Sequence, residues 1–362
     1  MNLAEQALPY VRAISPYQPG KPITELAREM GIPVERIVKL ASNENPLGMS
    51  PKAWVAVEAA IAGVERYPDQ FDLIAKLAAR CGVDAGQVVL GNGSNDVLDL
   101  TARVFLAPGR SAVFAQHAFA VYPLATLSAG AELIVTPAKN YGHDLAAMRA
   151  AIRPDTRLVW IANPNNPTGN FLPYAEVRAF LEAVPRDVAV VLDEAYNEYL
   201  PPVDRVDVAG WIKDFPNLIV CRTFSKIYGL AGLRVGYALA AADVADLMNR
   251  VRQPFNVNNL ALAAAAAALD DDEFLAASYE LNRRGMVQIV AGLRRLDLEF
   301  IEPHGNFVTF KVGDGAAVNQ KLLCQGVIVR PIGGYGLPEW LRVTIGSEAE
   351  NARFLEALEK AL

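Results

Sequence analysis

Between about residue 50 and residue 240, short apolar runs alternate with helical patterns, and this alternation constrains the fold more than any other feature of the 362-residue chain. The runs fall at 87–90, 111–115, 132–136, 158–162, 188–192, 218–221 and 236–240. Between them, segments such as 94–105 and 174–184 repeat their apolar residues at helical spacing. Strands separated by helices form βαβ units, so the pattern predicts an α/β fold with one large, mostly parallel, seven-stranded sheet. Beyond residue 240 the pattern changes to long helices at 242–253 and 260–293, then short strands at 307–311, 327–330 and 340–345, as in a smaller α+β domain. Pro16, Pro19, Gly20 and Pro22 keep the first 40 residues from forming one helix. The expected division is an N-terminal arm (1–40) packing with the small domain, a large domain (41–250) and a small C-terminal domain (251–362).

Composition excludes several functions. With 34 Lys and Arg against 40 Asp and Glu, the net charge of −6 lacks the basic surplus that a nucleic-acid partner requires. Cys81, Cys221 and Cys324 form no CxxC pair, and His117, His143 and His304 share no ligand spacing, so no metal site is expected. The chain starts Met-Asn-Leu-Ala-Glu-Gln, without a basic region leading into an apolar one, and its longest apolar run, 260–269, is about half a membrane span. A cytoplasmic protein with no membrane partner is expected. Arginine exceeds lysine by 24 to 10, a skew that fits small anionic ligands.

Four segments carry chemistry, each after an expected strand, where ligand sites of parallel sheets form. Gly91-Asn92-Gly93-Ser94-Asn95-Asp96 opens a helix, with Ser94 expected as its N-cap, and its amides offer a cradle for a phosphate. The rigid loop Asn163-Pro164-Asn165-Asn166-Pro167-Thr168-Gly169 suits the fixing of one amide side chain against a ligand. Val190-Val-Leu-Asp193-Glu194-Ala-Tyr196 delivers an acid at the end of an apolar strand, where a carboxylate is costly without a positive partner such as a protonated ring nitrogen. Thr223-Phe224-Ser225-Lys226 puts a lysine where its ammonium is partly desolvated and reacts as an amine, and Arg234 can return to an anion that Thr223 and Ser225 bind. A phosphate cradle, a loop amide, an acid and an amine together are the parts of a pyridoxal-phosphate site.

In that order along the chain, these motifs resemble the fold type I aminotransferases, and within them the histidinol-phosphate aminotransferase group. Asn43-Glu44-Asn45-Pro46 and Arg66-Tyr67-Pro68 are similar to two further signatures of that family. The resemblance implies that Lys226 bonds covalently to pyridoxal 5'-phosphate, that Asp193 pairs with the pyridinium nitrogen, and that Asn166 and Tyr196 hold the ring hydroxyl. It places the phosphate on Ser94, Asn95, Thr223, Ser225 and Arg234, and stacks Phe119 on the ring. Tyr67 would reach the phosphate of a partner subunit, which implies a homodimer with shared sites. Arg342 in Trp340-Leu-Arg-Val-Thr-Ile-Gly346 matches the arginine that binds a substrate carboxylate, while Arg330, Tyr17 and Asn45 would complete the substrate end. The implied reaction moves the amino group of L-histidinol phosphate to 2-oxoglutarate, with Lys226, Asp193 and Tyr196 as the catalytic residues.

Other readings of the same residues are an aromatic amino acid aminotransferase, since an arginine serves a phosphate or a carboxylate; a pyridoxal-phosphate-dependent decarboxylase of a phosphorylated amino acid; and a non-catalytic nucleotide- or cofactor-binding protein.

Overall fold

The computed structural model describes residues 2–362. Its strands, in chain order, are β1 (Val38–Lys39), β2 (Val88–Gly91), β3 (Ser111–Ala115), β4 (Glu132–Thr136), β5 (Thr156–Ala162), β6 (Ala189–Asp193), β7 (Leu218–Thr223), β8 (Gly236–Leu239), β9 (Phe307–Lys311), β10 (Val327–Ile328), β11 (Arg330–Pro331) and β12 (Trp340–Thr344). Seven of them form one sheet in the order β2-β8-β7-β6-β5-β3-β4. Only β8 runs against its neighbours β2 and β7; the other ladders are parallel. The seven expected runs are the seven strands, displaced at most by two residues at an end.

The central strands are mostly apolar because both faces of the sheet are covered there, while the edge strand β4 is partly exposed. Side chains alternate between two cores: Val159, Ile161, Val190 and Leu192 point into one, and Leu158, Trp160, Ala189 and Val191 into the other. A carboxylate at the end of β6 is therefore held in place by an interior that is buried on both sides.

The expected single helix over 260–293 is two helices, Asn259–Ala268 and Asp272–Arg295. Asp271 separates them: its side chain accepts from the Phe274 amide at 3.3 Å and starts the second helix. The alanine-rich first helix packs with Ala261, Ala264, Ala265 and Ala268 in the core of the large sheet, where small side chains let it lie close to the helix Pro51–Ala60. The second helix crosses Glu348–Ala361 through Gly292, where a Cβ would meet Leu355 at 2.4 Å.

Around that crossing lies a second body. Strands β11, β12 and β9 form an antiparallel sheet, and Ile289, Leu293, Val308, Phe310, Leu341 and Phe354 fill its core. The run expected at 327–330 is two short strands, because β10 pairs with β1 and β11 with β12. The arm contributes β1 and the helix Ile23–Met30, whose Leu26 packs against Leu323 and Ile328. Among the described residues no helix is long and apolar enough to cross a membrane.

Candidate active site

The carboxyl ends of β5, β6 and β7 open into a cavity of about 380 Å³. Thirteen of the residues singled out in the sequence line it: Tyr17, Ser94, Asn95, Phe119, Asn166, Asp193, Tyr196, Thr223, Ser225, Lys226, Arg234, Arg330 and Arg342. The motifs after β2, β5, β6 and β7 meet because each lies at the end of a strand in a single sheet, while Tyr17, Arg330 and Arg342 come from the arm and the small sheet.

Lys226 follows β7, and its Nζ donates to the Ser42 carbonyl at 3.2 Å. Burial, reinforced by the positive charge of Arg342, lowers its pKa to about 8, so about a tenth is a free amine at pH 7, far more than for a solvated lysine. Asp193, the last residue of β6, accepts from the Tyr122 hydroxyl at 2.9 Å and the Ala195 amide at 3.2 Å. Those donors are neutral, and burial raises its pKa to about 6. The adjacent Glu194 faces elsewhere and is neutralised by Arg222, with a shortest N–O distance of 2.8 Å. Tyr174 also donates to Glu194 at 2.6 Å, and the charge of Glu194 makes a lesser contribution than burial to the raised pKa of Asp193.

At the phosphate end, the helix Ser94–Phe105 begins on Gly93 at φ 83°; Gly93, not Ser94, is the cap. A glycine is favoured there by the positive φ, and a Cβ would also push the Arg234 guanidinium, 2.5 Å away, out of its place. Gly236 sits behind the same helix start, where a Cβ would lie 2.4 Å from the Ser94 nitrogen. Backbone amides, Arg234 and the Thr223 and Ser225 hydroxyls thus converge on one corner, and no capping side chain occupies the helix start. These groups could hold an anion.

Opposite lies the second body's contribution. Arg330 and Arg342 are directly paired across β11 and β12, which puts both side chains on one face. Arg342 donates to the Asn166 side chain at 2.5 Å and the Ala41 carbonyl at 2.7 Å. Arg330 donates to the Gln18 carbonyl at 2.6 Å and lies 5.4 Å from the Tyr17 ring.

Two expected residues lie elsewhere. Asn45 does not reach the cavity, because its amide nitrogen donates inward to the Ile227 carbonyl at 2.7 Å and the Ser278 hydroxyl at 2.9 Å. Asn43 takes the position instead, lining the cavity and donating to the Tyr196 hydroxyl at 2.8 Å. Tyr67 is 79% exposed and stacks on Phe255 at 4.4 Å, outside the cavity of its own chain. Sequence reasoning also passed over Tyr122, which stacks on Trp160 at 5.2 Å and meets Phe119 edge-on at 5.8 Å. Its helical spacing is that of an ordinary core residue, and only the contact with Asp193 gives it a role.

An amine freed by burial, facing a carboxylate that lacks a cation and flanked by anion sites at both ends, is the machinery of an enzyme that transfers groups on small anionic molecules. Residues 35–358 match the family model for aminotransferase class I and II, and the chain belongs to that family. It is 85% identical over 362 residues to a histidinol-phosphate aminotransferase 1 of Dechloromonas aromatica, covering both chains completely. It is 63% identical over 361 residues to one of Thiobacillus denitrificans, covering 99% of this chain and 94% of that one. The crystal structure of histidinol-phosphate aminotransferase from Sinorhizobium meliloti, in complex with pyridoxal-5'-phosphate, superposes with a TM-score of 0.89 at 28% identity, over 98% of this chain and 96% of that one.

Proposed function

We propose that the chain is a pyridoxal-phosphate-dependent aminotransferase of histidine biosynthesis. It converts L-histidinol phosphate and 2-oxoglutarate to imidazole acetol phosphate and L-glutamate. The observation that carries the donor assignment is the facing pair Arg330 and Arg342. Histidinol phosphate has no carboxylate, so its anchor is a phosphate dianion, and 2-oxoglutarate carries two carboxylates; paired guanidiniums serve both in turn.

The cavity fits the cofactor. Asp193 is a buried carboxylate with only neutral donors, which a protonated ring nitrogen would satisfy. The glycine-backed corner at Gly93 and Gly236 accepts a phosphate, and Lys226 supplies the amine. Asn166 and Tyr196 would hold the ring hydroxyl, and Phe119 would cover a ring face. When bound, pyridoxal phosphate supplies a ring that stabilises negative charge at the substrate Cα. Asp193 would keep a proton on the ring nitrogen, and Lys226, as a neutral amine, would take the proton from Cα and deliver it to the cofactor. Arg330 and Arg342 fix the anion so that the Cα hydrogen faces Lys226.

The chain is proposed to act as a cytoplasmic homodimer, in which Tyr67 completes the phosphate corner of the partner's site. The exposure of Tyr67, Trp54, Ile61, Val64 and Phe71 supports a covered face there. The arm and the C-terminal third are taken as one small domain. Residues 257–269 are assigned to the large domain, with whose core they pack.

Arg330→Ala tests the donor. It is expected to raise KM for histidinol phosphate by about tenfold or more, the cost of a lost charge-assisted hydrogen bond, and to change KM for phenylalanine far less. Equal effects would remove Arg330 from phosphate recognition.

A further inference from the structure

The turn Gly333–Tyr335 joins β11 to β12, between the two arginines. With Gly333, Gly334 and Gly336 around it, Tyr335 is the only side chain beyond hydrogen in that four-residue stretch, so the turn has little with which to fix its own position. It is fixed from the large body. The His117 ring Nδ1 lies 2.6 Å from the Tyr335 carbonyl. A carbonyl only accepts, so Nδ1 carries the hydrogen. His117 itself sits at φ 57°, a conformation that His, Asn and Asp tolerate better than most residues. Its own carbonyl accepts from the Asn165 side chain at 3.1 Å, next to the Asn166 that meets Arg342. His117 does not line the cavity, yet it ties the loop after β3, the Asn-Pro loop and the glycine turn together. Tyr141, 6.3 Å from the His117 ring, packs on Trp340 and closes the same joint.

Tyr335 lines the cavity with Tyr17, Arg330 and Arg342. The charges of both arginines act on its hydroxyl proton. Burial keeps that proton on at neutral pH by raising the phenol above its usual range.

We propose that Tyr335 is a specificity-determining residue whose hydroxyl donates to the substrate anion held by Arg330 and Arg342, and that His117 is the positioning residue that sets it there. The inference rests on the assignment of this end of the cavity to the substrate anion.

The test uses the holoenzyme and three variants: Tyr335→Phe, His117→Ala and His117→Asn. In asparagine, as in histidine, a nitrogen is bonded to Cγ, so the His117→Asn side chain can donate from the same place and tolerates the same backbone. Steady-state KM and kcat for histidinol phosphate and for 2-oxoglutarate are measured, with inhibition by inorganic phosphate as the binding probe. Tyr335→Phe is expected to raise KM for histidinol phosphate and Ki for phosphate by about tenfold, with kcat changed less than about threefold. His117→Ala should raise the same constants by about fivefold, and His117→Asn should bring them back to within about twofold. Unchanged KM and Ki in Tyr335→Phe would overturn the role of the hydroxyl. A His117→Ala variant with normal KM, or one whose losses fall on kcat and are not relieved by asparagine, would overturn the positioning role. If the wild-type enzyme instead uses phenylalanine and not histidinol phosphate, the donor assignment fails. The Ki for phosphate and KM for 2-oxoglutarate then still decide the inference, and normal values for both in Tyr335→Phe would overturn it.

Discussion

Among single residues, the balance between burial and charge decides the chemistry. Lys226 is a functional amine because its surroundings remove water and add Arg342, not because of anything in its own side chain. Its pKa falls from 10.5 to about 8. Between those values the unfolded chain holds a proton that the folded apoprotein does not, so the stability contributed by this group rises with pH from about 8 to 10.5. Competitive acetylation of the apoprotein, read by mass spectrometry, is expected to show Lys226 half-reactive near pH 8. A midpoint near 10.5 would mean the ammonium is solvated. The lysine, the acid and the asparagine were legible in the sequence because each sits in a short segment after an apolar run. Asn43 and Tyr122 were not. Asn45 is as polar as Asn43 and only two residues away, and which of them faces the cavity depends on the left-handed turn at Asn43, φ 57°, whose amide also bonds Thr344, 301 residues along the chain. Tyr122 reads as core until β6 is placed beside it.

At the scale of elements, strands were easier to locate than the joints between them. A run such as Val-Val-Leu-Asp has one reading inside an α/β pattern, whereas the break at Asp271 falls in a run of four acids, 270–273, any of which could sit on one helix face, and only the bond from the Phe274 amide picks out the cap. The split of 327–330 into β10 and β11 depends on two different partner strands, one of them, β1, nearly 300 residues away in the chain. The corner proposed for the phosphate shows how an element end can become a site: Gly93 at φ 83° and Gly236 leave room for the helix start and the Arg234 guanidinium to lie side by side. Gly93→Ala combines a disfavoured backbone with a clash of 2.5 Å on Arg234. It is expected to weaken pyridoxal-phosphate binding by about thirty- to a hundredfold while the chain stays folded, as read by equilibrium titration and circular dichroism. Unchanged affinity would move the phosphate away from this corner.

For the whole molecule, the decisive feature is that the two bodies share the cavity. The large sheet supplies Lys226, Asp193 and the phosphate corner; the small sheet supplies Arg330 and Arg342. A further chain is proposed to supply Tyr67. Tyr67→Phe and Lys226→Ala subunits, each with little activity alone, should on mixing form hybrid dimers with one intact site. About a quarter of wild-type activity is expected, since half of a random mixture is hybrid and each hybrid has one good site of two. No recovery despite proven exchange of subunits would place Tyr67 outside the neighbouring site. What the sequence could not reveal at this scale is register: that Arg330 and Arg342 face each other follows from the pairing of β11 on β12. The central claim, that this paired-arginine cavity takes a phosphorylated amino donor, is tested most directly by kcat/KM for histidinol phosphate, phenylalanine, tyrosine and aspartate, each with 2-oxoglutarate. Histidinol phosphate is expected to exceed each of the others by about a hundredfold, as two charge-assisted contacts would give; phenylalanine or tyrosine at an equal or higher value would contradict it.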